Sequence, residues 1–440
     1  MKNILILGAG RSSGCLIDYL LAHASSCHWT VSVGDLDINL AKNHCKGHEN
    51  ARVFALEADN ETQLSNEIFA CDAVVSMLPF GLHPLVAKLC VQHRKAMFTA
   101  SYVSEKMQEL HEEAVKNGVL LLNEMGLDPG IDHISALKIV DEIVAKGGKI
   151  HEFRSYCGGL VAPESNDNPW GYKFTWNPRN VVLAGQGTVK YLENGKLKYL
   201  PYHRLFTQTQ AINLGKFGLY EGYANRDSLK YRSLYGLNDL KTIFRGTLRS
   251  QGFCSAWNVF VQLGTTDDTY TMENSAKMTK KQYLEAFLPT NVLDAEQYIA
   301  QKYGEEVAIK MAYLGLFIDE PLNLDKDATP AQILQHILEP KLSLKPTDKD
   351  MVVMWHEFVY EQGKKMYNLQ SYMVLEGETA QKTAMSKTVG LPLAIAVKMY
   401  LQGEIKKTGV QIPNFSELYL PVFEELEQLG VVFVEQQTEL

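Results

Sequence analysis

Three closely spaced glycines set the first chemical possibility. Gly8-Ala9-Gly10-Arg11-Ser12-Ser13-Gly14 follows the apolar run Ile4-Leu5-Ile6-Leu7 and opens a helix-period segment from Leu16 to Leu21. A strand, a glycine turn and a helix in that order form a dinucleotide site. Gly8 permits the tight turn, Gly10 lets the backbone close on a pyrophosphate, and Gly14, one residue later than in the commonest spacing, is expected to thin the helix against its sheet. The backbone of Ala9, Arg11, Ser12 and Ser13 then meets the phosphates at a helix N-terminus, where the helix dipole favours negative charge. Thr30-Val31-Ser32-Val33 reads as the second strand and ends at Gly34-Asp35. A carboxylate there accepts hydrogen bonds from both adenosine ribose hydroxyls and repels a 2′-phosphate, so Asp35 points to NAD, with NADP left open by the nearby cation Arg11. Asp59-Asn60, after the third strand, is either an adenine-edge contact or a surface turn. Met77-Leu78, following the buried run Ala73 to Ser76, lies in a loop expected to line the cofactor crevice.

Two further loops carry polar side chains at strand ends, Thr99-Ala100-Ser101-Tyr102-Val103-Ser104 and the segment from Asn123 to His133. Within the second, Asp128-Pro129-Gly130 is a turn that either serves as punctuation alone or presents Asp128 toward the expected nicotinamide position. Arg226 and Arg249 are candidate carboxylate anchors, because a guanidinium binds a carboxylate as a planar fork; the alternative is a structural salt bridge. No metal centre is expected. His44, Cys45 and His48 lack a further ligand, and His356-Glu357 is followed by Tyr360 where a zinc-protease pattern needs a second histidine.

These loops need elements to hold them. Strands near Ile4, Val31, Val53, Val74, Phe98 and Leu121 alternate with helix-period segments such as His83–Arg94 and Glu105–Asn117, the pattern of a doubly wound parallel α/β sheet. After Gly147-Gly148 come strand-like runs rich in Tyr, Phe and Gly up to Tyr270. Helix-period segments follow from about Thr279 to Gln362, Met351–Tyr360 among them. The chain closes with a strand near Gln370–Leu375, a helix over Ala384–Leu401, a helix over Leu420–Leu429 and a strand at Val431–Val434. The 440 residues suggest two or three domains. A net charge of -8 disfavours sequence-independent nucleic-acid binding, and the seven cysteines without a Cys-x-x-Cys pair suit a reducing compartment. Met1-Lys2-Asn3 enters the first strand at once, and no apolar run reaches membrane-spanning length, so a cytoplasmic protein with a small-molecule partner is expected.

Taken together, Cys157-Gly158-Gly159-Leu160, Asn225-Arg226-Asp227-Ser228, Arg245-Gly246-Thr247-Leu248-Arg249 and Ala384-Met385-Ser386-Lys387 resemble, in order and over essentially the full length, the glutamate-forming saccharopine dehydrogenases. The resemblance implies a Rossmann domain over residues 1–133 completed by about 395–440, an α/β substrate and dimerisation domain over 134–278 and 363–394, a helical insertion over 279–362, and a homodimer. It implies reversible oxidation of saccharopine to L-glutamate and 2-aminoadipate 6-semialdehyde in lysine metabolism, with NAD preference suiting degradation. Carried onto matching positions, Ser101, Tyr102, Leu127, Asp128, Arg226, Thr247, Leu248 and Arg249 contact the substrate. Tyr102, Asp128 and Cys157 approach the reacting centre, Cys157 either as a catalytic group or as a packing residue only, and Trp176 lies near the cofactor. Competing readings are an imine reductase like carboxynorspermidine dehydrogenase, whose diamine substrate would call for acids in place of the arginines, and a dinucleotide-binding sensor or scaffold without chemistry.

Overall fold

The computed structural model describes residues 1–440, and the chain divides into two compact units: unit 1, residues 1–147 with 381–433, and unit 2, residues 148–380 with 434–440. Unit 1 contains β1 (Lys2–Leu7), β2 (Trp29–Asp35), β3 (Ala51–Ala55), β4 (Ala73–Ser76), β5 (Ala96–Phe98) and β6 (Leu120–Leu122). All are parallel, in the order β6-β5-β4-β1-β2-β3, and a short strand at Gly409–Gln411 extends the β6 edge to make seven. The inner strands β4, β5 and β6 are buried on both faces because helices cover both, while the edge strand β3 is partly exposed. Strand order reverses between β1 and β4, and the loops after them lie side by side: a Cβ added to Gly8 would stand 3.0 Å from the Met77 carbonyl oxygen. A reversal of that kind is where open α/β sheets bind ligands.

Gly14 does a different job from the one expected. A Cβ there would meet the His44 imidazole at 3.1 Å, so the glycine makes room for that side chain and not for the sheet, while the Ser386 hydroxyl of the helix Ala384–Gln402 lies at an ordinary 3.5 Å. That helix crosses the first one closely, since a Cβ on Gly390 would come within 2.7 Å of the Leu16 nitrogen. The helix Ser416–Gln428 is tied down by Glu425, which pairs with Lys398 at 2.6 Å and accepts from the Tyr19 hydroxyl.

Unit 2 holds a nine-stranded mixed sheet. Its strands are β7 (Lys149–Val161), β8 (Thr188–Glu193), β9 (Lys196–Pro201), β10 (Thr209–Asn213), β11 (Leu219–Ala224), β12 (Thr242–Ser250), β13 (Asp350–Gln362) and β14 (Lys365–Glu376), joined by Val434–Glu439. β7 is central, parallel to β12 and antiparallel to β13. Its Tyr156 ring lies flat across the neighbouring strands, over Gly222 and Gly246, where an added Cβ would come within 2.5 Å of ring carbons. The hydroxyl at the far end donates to Gln210 Oε1 at 2.5 Å. Gly246 of the Arg-Gly-Thr-Leu-Arg motif is thus explained by packing.

Two expectations fail here. Met351–Tyr360 is not helical: it forms most of β13, a strand buried on both faces, and the helical segment ends at Leu342 instead of Gln362. Those helices share one apolar core with the strands of unit 2, from Tyr156 and Trp170 to Leu338. The closing strand starts at Val434 and pairs antiparallel with β14, so the last residues extend the second sheet and do not complete the dinucleotide domain to residue 440.

Substituting Gly246→Ala should lower the melting temperature, because overpacking a filled site costs about 1–3 kcal/mol. The loss should shrink in a Tyr156→Leu background, since the two positions share one contact. Equal losses in both backgrounds would show that the ring does not impose the glycine.

Candidate active site

The C-terminal edge of the unit 1 sheet carries a continuous row of loops, those after β1, β4, β5 and β6. The glycine turn suits a pyrophosphate: nothing lies within 4 Å of a Cβ built on Gly10, the Gly10 and Ser12 amides have no acceptor within the protein, and the helix Gly14–Ala22 starts directly behind. Ser13 turns inward and donates to the Gly10 carbonyl at 2.7 Å, while Arg11 is exposed. Asp35 clasps the turn from the end of β2. One carboxylate oxygen accepts from the Ala9 amide at 2.6 Å and the other from the Asp37 amide at 2.9 Å. Each carboxylate oxygen has a second lone pair for a ribose hydroxyl. Asp59 is exposed, and Asn60 caps the helix Glu61–Phe69 by accepting from the Gln63 amide at 3.1 Å, which gives that residue a structural task. Half-buried Met77 and Leu78 flank Gly8.

Beside this, the loops after β5 and β6 meet through side chains. The Tyr102 hydroxyl donates to Asp128 Oδ1 at 3.0 Å. Asp128 leads, with Pro129 and Gly130, into the helix Ile131–Ala145, and Leu127 is buried behind it. Gly130 is obligatory. Its φ is +146°, and a Cβ would fall 2.0 Å from the Gly126 carbonyl oxygen. Glu124 links the two loops, accepting from the Val103 amide at 3.1 Å while its other oxygen meets His133 Nε2 at 2.9 Å. Ser101 joins a buried chain, with His83 Nε2 2.7 Å from its hydroxyl and His83 Nδ1 2.9 Å from the hydroxyl of Ser76. Burial pushes the His83 imidazole down to about 4, so it is neutral at physiological pH.

Unit 2 holds a buried cation of its own. Arg249 on β12 is only 3% exposed, and no carboxylate pairs with it. Its guanidinium carbon lies 5.2 Å from the Tyr172 ring centroid, 5.4 Å from Phe253 and 5.9 Å from Tyr223, with one nitrogen donating to the Leu248 carbonyl at 2.9 Å. The buried Nε has no acceptor. Strand register sets Thr247 opposite Cys157 on β7 and opposite Tyr223 on β11. Leu248 is fully buried, and its carbonyl oxygen would lie 2.7 Å from a Cβ on Gly158. Arg226 differs from Arg249: it is exposed on the loop after β11, with φ at +50°. Trp176 is half-buried and packs against the unit 2 core.

Two successive segments of the chain match two family models, the saccharopine dehydrogenase NADP binding domain at residues 4–122 and the saccharopine dehydrogenase C-terminal domain at residues 126–431. The chain belongs to the saccharopine dehydrogenase family. It is 32% identical to saccharopine dehydrogenase [NADP(+), L-glutamate-forming] of Saccharomyces cerevisiae, with 99% of each chain covered. It is 34% identical to the mitochondrial alpha-aminoadipic semialdehyde synthase of Rattus norvegicus over 99% of this chain and 48% of that one, so it spans about half the length of its mammalian relatives. The solved apo structure of the yeast L-Glu forming saccharopine dehydrogenase covers the whole chain at a TM-score of 0.88 and 32% identity. The fold shared with that saccharopine dehydrogenase is the α/β fold expected, a parallel sheet with alternating helices beside a second, mixed sheet. No helix is long and apolar enough to cross a membrane.

His83, Glu124 and His133, which the geometry ties to Ser101 and to the loop after β5, were not singled out in the sequence. One signal was present, since Ser76 ends an otherwise apolar buried strand and a buried hydroxyl needs a partner.

The depressed His83 pKa has a stability consequence. Between about 4 and the ordinary imidazole value of 6.5 the unfolded chain binds a proton that the folded chain does not, so stability is present above 6.5 and is lost as pH falls toward 4. The full loss is of order 3 kcal/mol. Melting temperatures at pH 7, 5.5 and 4.5 should fall more steeply for wild type than for His83→Gln. Parallel curves would contradict the assignment.

Proposed function

We propose that the chain oxidises saccharopine reversibly at its secondary amine, yielding L-glutamate and 2-aminoadipate 6-semialdehyde; its fungal relatives are named L-glutamate-forming saccharopine dehydrogenases and its mammalian ones alpha-aminoadipic semialdehyde synthases. The observation that carries this reading is Arg249. A buried guanidinium without a carboxylate costs several kcal/mol, and a multiply carboxylated substrate removes that cost on binding. A diamine would instead meet a cation there, which disfavours the carboxynorspermidine-type alternative. Thr247 and Leu248, on the same strand, and exposed Arg226 complete the proposed substrate contacts of unit 2, with Cys157 beside Thr247.

In unit 1 the proposed contacts are Ser101, Tyr102, Leu127 and Asp128. A bound nicotinamide supplies the acceptor for the hydride leaving the substrate carbon. The protein must then keep the amine neutral, because a protonated nitrogen has no lone pair to stabilise the developing imine. Asp128 is proposed to accept the amine proton, with the Tyr102 hydroxyl as its partner in holding it. Water then releases the aldehyde and the amino acid.

We infer that NAD is preferred over NADP. The matched family and the fungal relatives carry NADP in their names. The inference rests on Asp35, whose charge stands beside the glycine turn where a 2′-phosphate would be repelled. Asp35→Asn keeps an acceptor for the Ala9 amide and the ribose while removing the charge. It should move the NAD to NADP ratio of kcat/KM toward NADP by about tenfold or more. A wild type that already favours NADP would overturn this.

Arg249→Lys keeps the charge without the fork, and Arg249→Met loses both, so Met should be the more damaging. Leaving a substrate carboxylate unpaired costs about 2–5 kcal/mol, a loss of tens to thousands of fold in saccharopine kcat/KM. Cofactor affinity, followed in parallel, should hold. Retained saccharopine oxidation in Arg249→Met would remove the main support for the reading.

A further inference from the structure

The buried chain Ser76–His83–Ser101 has a direction that its hydrogen-bond accounting fixes. Ser76 is fully buried at the end of β4, and the only partner of its hydroxyl is His83 Nδ1. If Nδ1 carried the imidazole proton, the Ser76 proton would be left in the interior without an acceptor, a cost of about 1–3 kcal/mol. Ser76 therefore donates to Nδ1, and the neutral imidazole carries its proton on Nε2. Nε2 then donates to the Ser101 hydroxyl oxygen across 2.7 Å. With its oxygen accepting from His83, the Ser101 hydroxyl has its own proton to give, and no protein group accepts it. Ser101 is half-buried, next to the Tyr102–Asp128 pair. Because the chain ends at buried Ser76, it does not bring protons from solvent; what it sets is the polarity of one hydroxyl.

We propose that His83 is a positioning residue that holds Ser101 as a hydrogen-bond donor, so that this position selects an acceptor on the substrate, a carboxylate or carbonyl oxygen, over an ammonium group. The proposal rests on the reading of the chain as a saccharopine dehydrogenase, in which Ser101 contacts the substrate.

The test is a set of steady-state and cofactor-binding measurements on the full chain. His83→Asn keeps a polar group only where Nδ1 stands, whereas His83→Gln extends an amide N–H toward the Nε2 position. His83→Asn should raise the KM for saccharopine about tenfold or more, the scale of one hydrogen bond to a charged acceptor, with a smaller change in kcat and unchanged cofactor affinity. His83→Gln should recover part of that loss. Ser101→Ala should resemble His83→Asn, and the double variant should be little worse than either, because both act through one hydroxyl. An unchanged KM in His83→Asn, additive losses in the double variant, or a parallel loss of cofactor affinity would each overturn the proposal. A wild type that binds dinucleotide and does not oxidise saccharopine would instead overturn the functional reading, and this inference with it.

Discussion

Arg249 is a permanent charge placed inside unit 2 where nothing of opposite sign meets it. Removing such a group from water is costly, and the surroundings offset only part of the cost: three aromatic faces within 6 Å and a single carbonyl. Much of the local architecture serves this arrangement. β12 lies beside β7, so the arginine emerges from the middle of the sheet. Tyr223 comes from the adjoining strand β11, and Phe253 begins the helix that follows β12. Behind them Trp170 stacks on Phe260, and Phe253 on Trp257, which keeps the cage from collapsing onto the guanidinium. A protein whose only requirement was stability would have an apolar side chain there.

Unit 1 handles its polar groups in the opposite way. Its charges and hydroxyls are engaged one by one, and their engagement sets direction. Asp35 holds the glycine turn through two amides while leaving lone pairs outward. Glu124, with φ at +56°, ties the loop after β5 to the loop after β6 and to His133. His83 orients Ser101. The result is a row of fixed donors and acceptors along one sheet edge, the preorganisation that positioning a substrate and a cofactor requires.

The parts legible in the sequence were those with a strong local cause. The glycine turn, Asp35 at the end of β2 and the alternation of short apolar strands with helices announce a dinucleotide sheet without tertiary information. β13 was misread because a strand buried on both faces has no alternation to display, and Met351–Tyr360 offers a nearly continuous apolar run that periodicity cannot assign. The final strand was placed too early, at the apolar run Val431–Val434, for the opposite reason: Val434–Glu439 is mostly polar and exposed along its whole length, and its partner β14 is what makes it a strand. Gly14 was assigned to the sheet because the neighbour it accommodates, the His44 imidazole, comes from another helix, Ile38–Cys45. The absence of a carboxylate at Arg249 and the His83 bridge are facts of assembly, invisible until the strands are placed.

The most direct measurement is absorbance of reduced dinucleotide when the purified chain is given saccharopine with NAD or with NADP, combined with quantitation of L-glutamate. The account predicts reduction in step with glutamate release, faster with NAD. Dinucleotide binding with no reduction by either cofactor would contradict it.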